Sequence, residues 1–224
     1  MIAAFFDVDG TLYSGRVWSG LMDYLKAHGR RLDSNLYFTA FMPHYIARKL
    51  KLISEERFRG PWAKHLAWPM RGWTKAQAQA CFDWVAREYI EPLRREHVIA
   101  RLREHQSQGH VVVLVSSGLS PLLAAIGAPL GVKCVVGTQV EWRDGRLTGR
   151  TLPPLVIGER KAGVTRERLR EWELDIDLAA SFAYADSISD LALLELVGHP
   201  TAVYPDEQLA VVARERKWPV LVDG

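Results

Sequence analysis

The chain has 224 residues, enough for one large domain, or one domain carrying a substantial insert, around a sizeable core. Its 48% apolar and 25% charged residues are those of a soluble globular protein and exclude a disordered, collagen-like or fibrous chain. A net charge of only +3 gives no ground for a nucleic-acid partner. Two distant cysteines, Cys81 and Cys134, lack CxxC or Cys/His spacing, which argues against a disulfide scaffold or zinc site and for a reducing compartment, the cytoplasm.

The opening MIAAFFDVDG has no basic leader region and meets an acid at Asp7, unlike a signal peptide. Ile2 to Phe6 predicts a buried strand entering an acidic turn. Residues 14–93 lack strand-like β-branched runs and carry mostly helical apolar spacing. This stretch holds 13 basic and 7 acidic residues, a net +6 against −3 for the remainder, and five of the eight tryptophans, Trp18, Trp62, Trp68, Trp73 and Trp84. Such asymmetry points to an anionic substrate or partner at the insert. Val111 to Val132 is long enough and uncharged enough to span a bilayer, but Ser116-Ser117-Gly118-Leu119-Ser120-Pro121 breaks it into a buried strand, a turn and a helix. Lys133 to Val140 predicts a strand, with a hairpin at Asp144-Gly145. Helices are expected over 159–172, 187–197 and 206–216, and strands over 181–184, 201–204 and 219–222. Strands alternating with helices imply a parallel α/β sheet.

The strongest chemical signal is Asp7-Val8-Asp9-Gly10-Thr11-Leu12 directly after the first strand, because sites in parallel sheets form at the carboxyl ends of strands. Two carboxylates two residues apart on a turn can face one centre and favour a hard cation such as Mg2+. A screened aspartate there can attack phosphorus while its neighbour handles protons. A calcium-loop reading fails, since the twelfth position counted from Asp7 is Trp18 rather than Glu. Three weaker signals lie at compatible strand ends. Ser116 and Gly118 end the second strand, where a hydroxyl and backbone N–H groups can hold a phosphate oxygen. Ser117 is the alternative to Ser116. Lys161 opens a helix and can neutralise a phosphate. Asp186 and Asp190 follow the fourth strand, spaced to share a helical face, though N-capping alone would also explain them.

In these four segments the chain resembles the haloacid dehalogenase-like (HAD) superfamily. DVDGTL resembles motif I, VVVLVSSG motif II, the Lys161 segment motif III and ADSISD motif IV. Tyr184 to Leu191, Val197-Gly198-His199-Pro200 and Trp218-Pro219-Val220 resemble the phosphoserine-phosphatase-like branch, subfamily IB. The resemblance implies a Rossmann-like core with a parallel sheet over 1–13 and 94–224, and a mainly helical C1-type cap over 14–93. It implies Asp7 as nucleophile, Asp9 as general acid and base, and Mg2+ held by Asp7, the Asp9 backbone carbonyl and Asp186. Ser116, Gly118 and Lys161 would bind phosphate, with Asp190 and Thr11 in support. Ala185 stands where motif IV often has Gly, and still permits close approach. The implied activity is hydrolysis of a small phosphomonoester through an aspartyl-phosphate. Retention of both Asp7 and Asp9 favours phosphoryl transfer over dehalogenation.

The insert keeps further readings open. Asn35 to Ala47 is uncharged and aromatic and is followed by Arg48-Lys49-Leu50-Lys51. It reads as a cap helix packed on its neighbours, or as a basic, greasy surface for peripheral contact with anionic lipid and a lysophospholipid or phosphatidylglycerol phosphate type of substrate. A third reading is a non-catalytic phosphate- or lipid-binding module, against which the intact acids count. Among the insert's basic residues, Arg16, Arg48, Arg57, Arg59 and Arg71 are candidate substrate contacts, and sequence alone selects none.

Overall fold

A computed structural model of the chain describes residues 1–50, 52, 60–61 and 63–222. Seven strands, β1 (Ala3–Asp7), β2 (Val111–Leu119), β3 (Cys134–Arg143), β4 (Arg146–Leu152), β5 (Phe182–Ala185), β6 (His199–Val203) and β7 (Val220–Leu221), form one sheet. Their order is β4-β3-β2-β1-β5-β6-β7. All neighbours run parallel except the β3–β4 hairpin, whose turn residues Asp144 and Gly145 both have positive φ (51° and 72°), as a primed turn requires. The α/β class and the predominantly parallel sheet are therefore as expected.

The helices whose bounds lie among the described residues are α1 (Val17–Ala27), α2 (Arg31–Lys49), α3 (Lys75–Trp84), α4 (Glu96–Ser107), α5 (Ser120–Gly127), α6 (Arg160–Glu171), α7 (Leu191–Leu194) and α8 (Glu207–Glu215). A π-helical turn, Val85–Ile90, continues α3. No helix among the described residues is long and apolar enough to cross a membrane.

Strand alternation divides the core into two layers. Phe5, Val113 and Val115 face α6, α7 and α8, where Val164, Leu169, Leu193, Leu194 and Leu209 pack. Ala4, Phe6 and Leu114 face the other way, into a cluster with Ile99 and Leu102 of α4 and Leu122 and Ile126 of α5. That second cluster continues without a break into the insert through Val17, Leu21, Phe82 and Val85. The two chain crossings between sheet and insert are paired: Ser14 N donates to Leu93 O at 2.9 Å, and Tyr13 bridges Arg94 antiparallel.

Two expected elements differ. The predicted turn after the second strand is absent, because β2 runs on to Leu119 and α5 starts at Ser120 with Pro121 in its first turn, where a missing N–H costs nothing. The helix expected over 187–197 is broken into a 3-10 turn, Ile188–Asp190, and the short α7. Ser187 starts it by accepting from Ser189 N, and Asp190 turns inward rather than lying on a helix face. Trp62, Arg57, Arg59 and Lys51 lie outside the described residues, as does the side chain of Arg48.

Candidate active site

Parallel strands deliver their carboxyl ends to one edge of the sheet, so three loops meet there. Asp7 is the last residue of β1 and pairs with Val115 of β2. Asp186 follows β5 directly. Ser116 is placed by an irregularity in the β2–β3 ladder. Val115 pairs with Val136 and Leu119 with Thr138, so residues 116–118 bulge out of register toward the edge.

Lys161, in the first turn of α6, enters this edge fully buried. Its Nζ donates to Asp7 Oδ1 at 2.6 Å and ion-pairs with the Asp190 carboxylate. Asp7, Lys161 and Asp190 are each 3% exposed. Carboxylate oxygens of Asp7, Asp186 and Asp190 lie within 4.8 Å of one another. Three carboxylates against one buried ammonium leave positive charge in deficit, with Asp7 and Asp190 buried and Asp186 half-buried. The ionisation of the groups reflects that deficit. Burial raises Asp7 well above the usual carboxylate range; Lys161 opposes this, while Asp190, Asp186 and Asp9 reinforce it. Burial, helped by Asp190, pushes Asp186 up to about 6 against the pull of Lys161 and Arg16. Burial alone would lower Lys161, but Asp190 and Asp7 outweigh it and hold the ammonium above its ordinary value. These hard oxygen donors are of the kind that suits a divalent cation such as Mg2+.

The motif I loop is shaped around Asp186. Gly10 has φ 93°, and a Cβ there would lie 2.1 Å from Asp186 Oδ2, so only glycine fits. Thr11 Oγ1 donates to Asp186 Oδ1 at 3.3 Å. The Asp186 carbonyl accepts from Asp206 N at 2.8 Å. Asp9 is turned away from the carboxylate cluster: its Oδ1 accepts from Val17 N at 2.6 Å, at the N-terminus of α1. The Asp9 side chain thus lies at the junction of core and insert.

Ser116 is buried, and its Oγ accepts from Gly118 N at 3.0 Å. That N–H, expected to face a phosphate, instead orients the Ser116 hydroxyl. Glycine at 118 is explained by the insert, since a Cβ would come within 2.9 Å of Val17 Cγ2. Ser117 is held through its carbonyl, which accepts from Thr138 Oγ1 at 3.0 Å. Asp7, Lys161, Asp186 and Asp190 therefore meet at one edge, Thr11 joins them through Asp186, Ser116 follows the neighbouring strand, and Asp9 faces the insert. Asp190 stands closer to the centre than a supporting role suggested.

Two contributors were not selected from sequence. Arg16, exposed and one residue before α1, draws the Asp186 carboxyl downward, an effect that sequence alone did not pick out among the candidate arginines. Asp206 caps α8 through Leu209 N at 2.8 Å and also accepts from Ile188 N at 2.9 Å, tying that helix to the Asp186–Asp190 loop. An N-cap aspartate before an amphipathic run was readable; its second bond was not.

A sequence model of the haloacid dehalogenase-like hydrolases matches residues 4–195. The chain is 31% identical to the "Inhibition of morphological differentiation protein" of Streptomyces azureus, over 98% of this chain and 77% of that protein. It is 32% identical to a phosphoserine phosphatase of Mycobacterium tuberculosis, over 97% and 70% respectively. A crystal structure of a Bordetella pertussis protein of unknown function superposes with a TM-score of 0.84 at 26% identity, covering 98% of this chain and 97% of that one. The family match takes in the strands and loops that bring Asp7, Ser116, Lys161 and Asp186 together, and the chain belongs to the haloacid dehalogenase-like hydrolases.

Proposed function

We propose that the protein is a Mg2+-dependent phosphatase that hydrolyses a small phosphomonoester through an aspartyl-phosphate on Asp7. The observation that carries this reading is the set of Asp7, Asp186 and Asp190, buried or half-buried around one lysine and short of positive charge. The phosphatase named among the relatives supports the same reaction class.

Asp7 Oδ1, held by Lys161 at 2.6 Å, fixes where a phosphorus atom must sit for in-line attack. The Asp7 carboxylate, the Asp9 backbone carbonyl and Asp186 would hold Mg2+. That ion would screen the attacking carboxylate from the phosphate's charge. The Ser116 hydroxyl and the Lys161 ammonium hold phosphoryl oxygens as charge shifts in the transition state. Asp9, positioned by Val17 N–H, gives its proton to the leaving alkoxide oxygen and later takes one from the water that cleaves the acyl-phosphate. Residues 14–93 serve as a cap that shuts water out and selects the substrate, with α1 directly over the Ser116–Gly118 loop. A reducing, cytoplasmic setting suits the two unbridged cysteines.

The test is phosphate release across phosphoserine, glycerol phosphate, histidinol phosphate, lysophosphatidate and phosphatidylglycerol phosphate, with Mg2+ and with chelator. Mg2+-dependent release from a soluble compound, absent with Asp7→Asn, is expected. Preference for a lipid phosphate would shift the substrate class, and no release from any of them while Mg2+ binds would favour the non-catalytic module.

A further inference from the structure

Helix α2 has two apolar faces where a surface helix normally has one. One face is anchored. Ser34 and Tyr37 are fully buried and Phe41 nearly so, the Tyr37 and Phe41 rings lie 4.9 Å apart, and Ser34 Oγ reaches Met22 Sδ of α1 at 3.8 Å. The other face points outward. Leu32 is 77% exposed, Leu36 58%, Ile46 48% and Leu50 64%. At about 100° per residue these four fall within about 40° of a single line along the helix. Pro43 lies on the same line and is also exposed. The stripe runs for about 28 Å. Exposed Thr39 is the one polar residue on this line between Leu36 and Pro43, so the surface is two apolar patches at the ends of the helix joined through Thr39 and Pro43, more than a soluble monomer usually leaves bare.

The charges choose among occupants. Exposed Arg31 stands at one end of the stripe and exposed Lys49 at the other. From Asn35 to Ala47 there is no charge at all. The one acid of the helix, Asp33, is already paired with Arg30 at 2.6 Å. The insert as a whole carries a net +6. A second copy docked antiparallel on this stripe would bring two inserts, each of net +6, against one another. A convex helix face with basic ends instead fits an anionic, apolar-centred surface. We infer that the outer face of α2 docks the protein on an anionic lipid bilayer, with Leu32, Leu36, Ile46 and Leu50 entering the acyl boundary and Arg31 and Lys49 meeting headgroup phosphates. The contact is peripheral and is independent of the chemistry at Asp7.

The experiment is co-sedimentation of the intact protein with vesicles of about one-third phosphatidylglycerol in phosphatidylcholine, and with phosphatidylcholine alone. Binding to the anionic vesicles is expected to exceed that to neutral ones at least about tenfold and to weaken severalfold when salt rises from about 0.05 to about 0.5 M. Leu36→Ser with Ile46→Ser removes two outward side chains without touching the buried face. It should abolish vesicle binding and leave Mg2+-dependent turnover of p-nitrophenyl phosphate and the unfolding midpoint unchanged. Equal binding to both vesicle types, or none, overturns the proposal. So does a dimer in sedimentation velocity that the same double substitution dissociates, which would make the second copy the occupant.

Discussion

Lys161 is the single positive charge among three buried or half-buried carboxylates, and its neighbours respond differently to substitution. Lys161→Met leaves Asp7 and Asp190 buried without their counter-charge, which should cost about 3–5 kcal/mol in chemical denaturation with chelator present. Asp7→Asn works the other way. It should reduce turnover by at least about 10³-fold, since the nucleophile is gone. Yet its midpoint in chelator should match or exceed that of the wild type, because burial and three neighbouring acids already penalise the charged form of Asp7. A less stable Asp7→Asn protein would show that the Lys161 pairing outweighs this repulsion. At this scale the sequence was most informative. Asp7, Lys161 and Asp186 each end, begin or follow an element whose type was readable, and their motif order told which loops meet. Arg16 was not readable, because its effect on Asp186 depends on how the insert settles on the sheet.

Among the elements, the contact of α4 with β5 contains a buried histidine. His105 shares hydrogen bonds of 2.9 Å with Tyr184 Oη and with His110 Nδ1. Burial, aided by His110 and Arg101 and opposed by Glu104, lowers it to about 4. The unfolded chain, with an ordinary imidazole, binds a proton more readily than the native one. The stabilisation is therefore complete above about pH 6.5 and is lost as pH falls through about 4, by a total of order 3 kcal/mol. Denaturation of wild type and His105→Gln at several pH values should show a shallower decline for the variant over that window; parallel curves would discount the histidine. The Asp206 bonds make a second case. Asp206→Ala removes the cap of α8 and the tie to Ile188 together and should lower stability by about 1–2 kcal/mol. Element types followed from apolar periodicity, whereas the bulge at 116–118 and the break at Asp190 did not. Both are set by partners far along the chain, β3 in one case and Lys161 in the other.

Over the whole molecule, the charge deficit at the sheet edge would couple folding to a bound Mg2+ of the proposed mechanism. A cation held only by the native state raises stability by mass action, about 2.7 kcal/mol at a hundredfold excess over Kd. For a chain of this size that corresponds to a rise of roughly 5–10 °C in Tm. Calorimetry with Mg2+ and with chelator should show the rise in wild type and its loss in Asp186→Asn. An equal rise in both would place the ion elsewhere. The two-layer α/β arrangement was legible from the alternation of runs. The continuity of the upper core from Leu122 through Val17 to Phe82 was not, because helical spacing marks an apolar face without naming what it will cover.

The adjoining crossings at Ser14–Leu93 and Tyr13–Arg94 have an evolutionary consequence. The chain leaves the sheet and returns to it at neighbouring points, so a short turn could close the gap with little loop-closure entropy. Exchange of the intervening segment by recombination would leave the register of β1 and β2, and hence Asp7 and Ser116, where they are. The constraint on any replacement is its underside: it must bring its own apolar residues to Leu119, Leu122 and Leu123, or leave that floor wet. New specificities can thus be grafted onto old chemistry, provided the graft arrives with a matching sole.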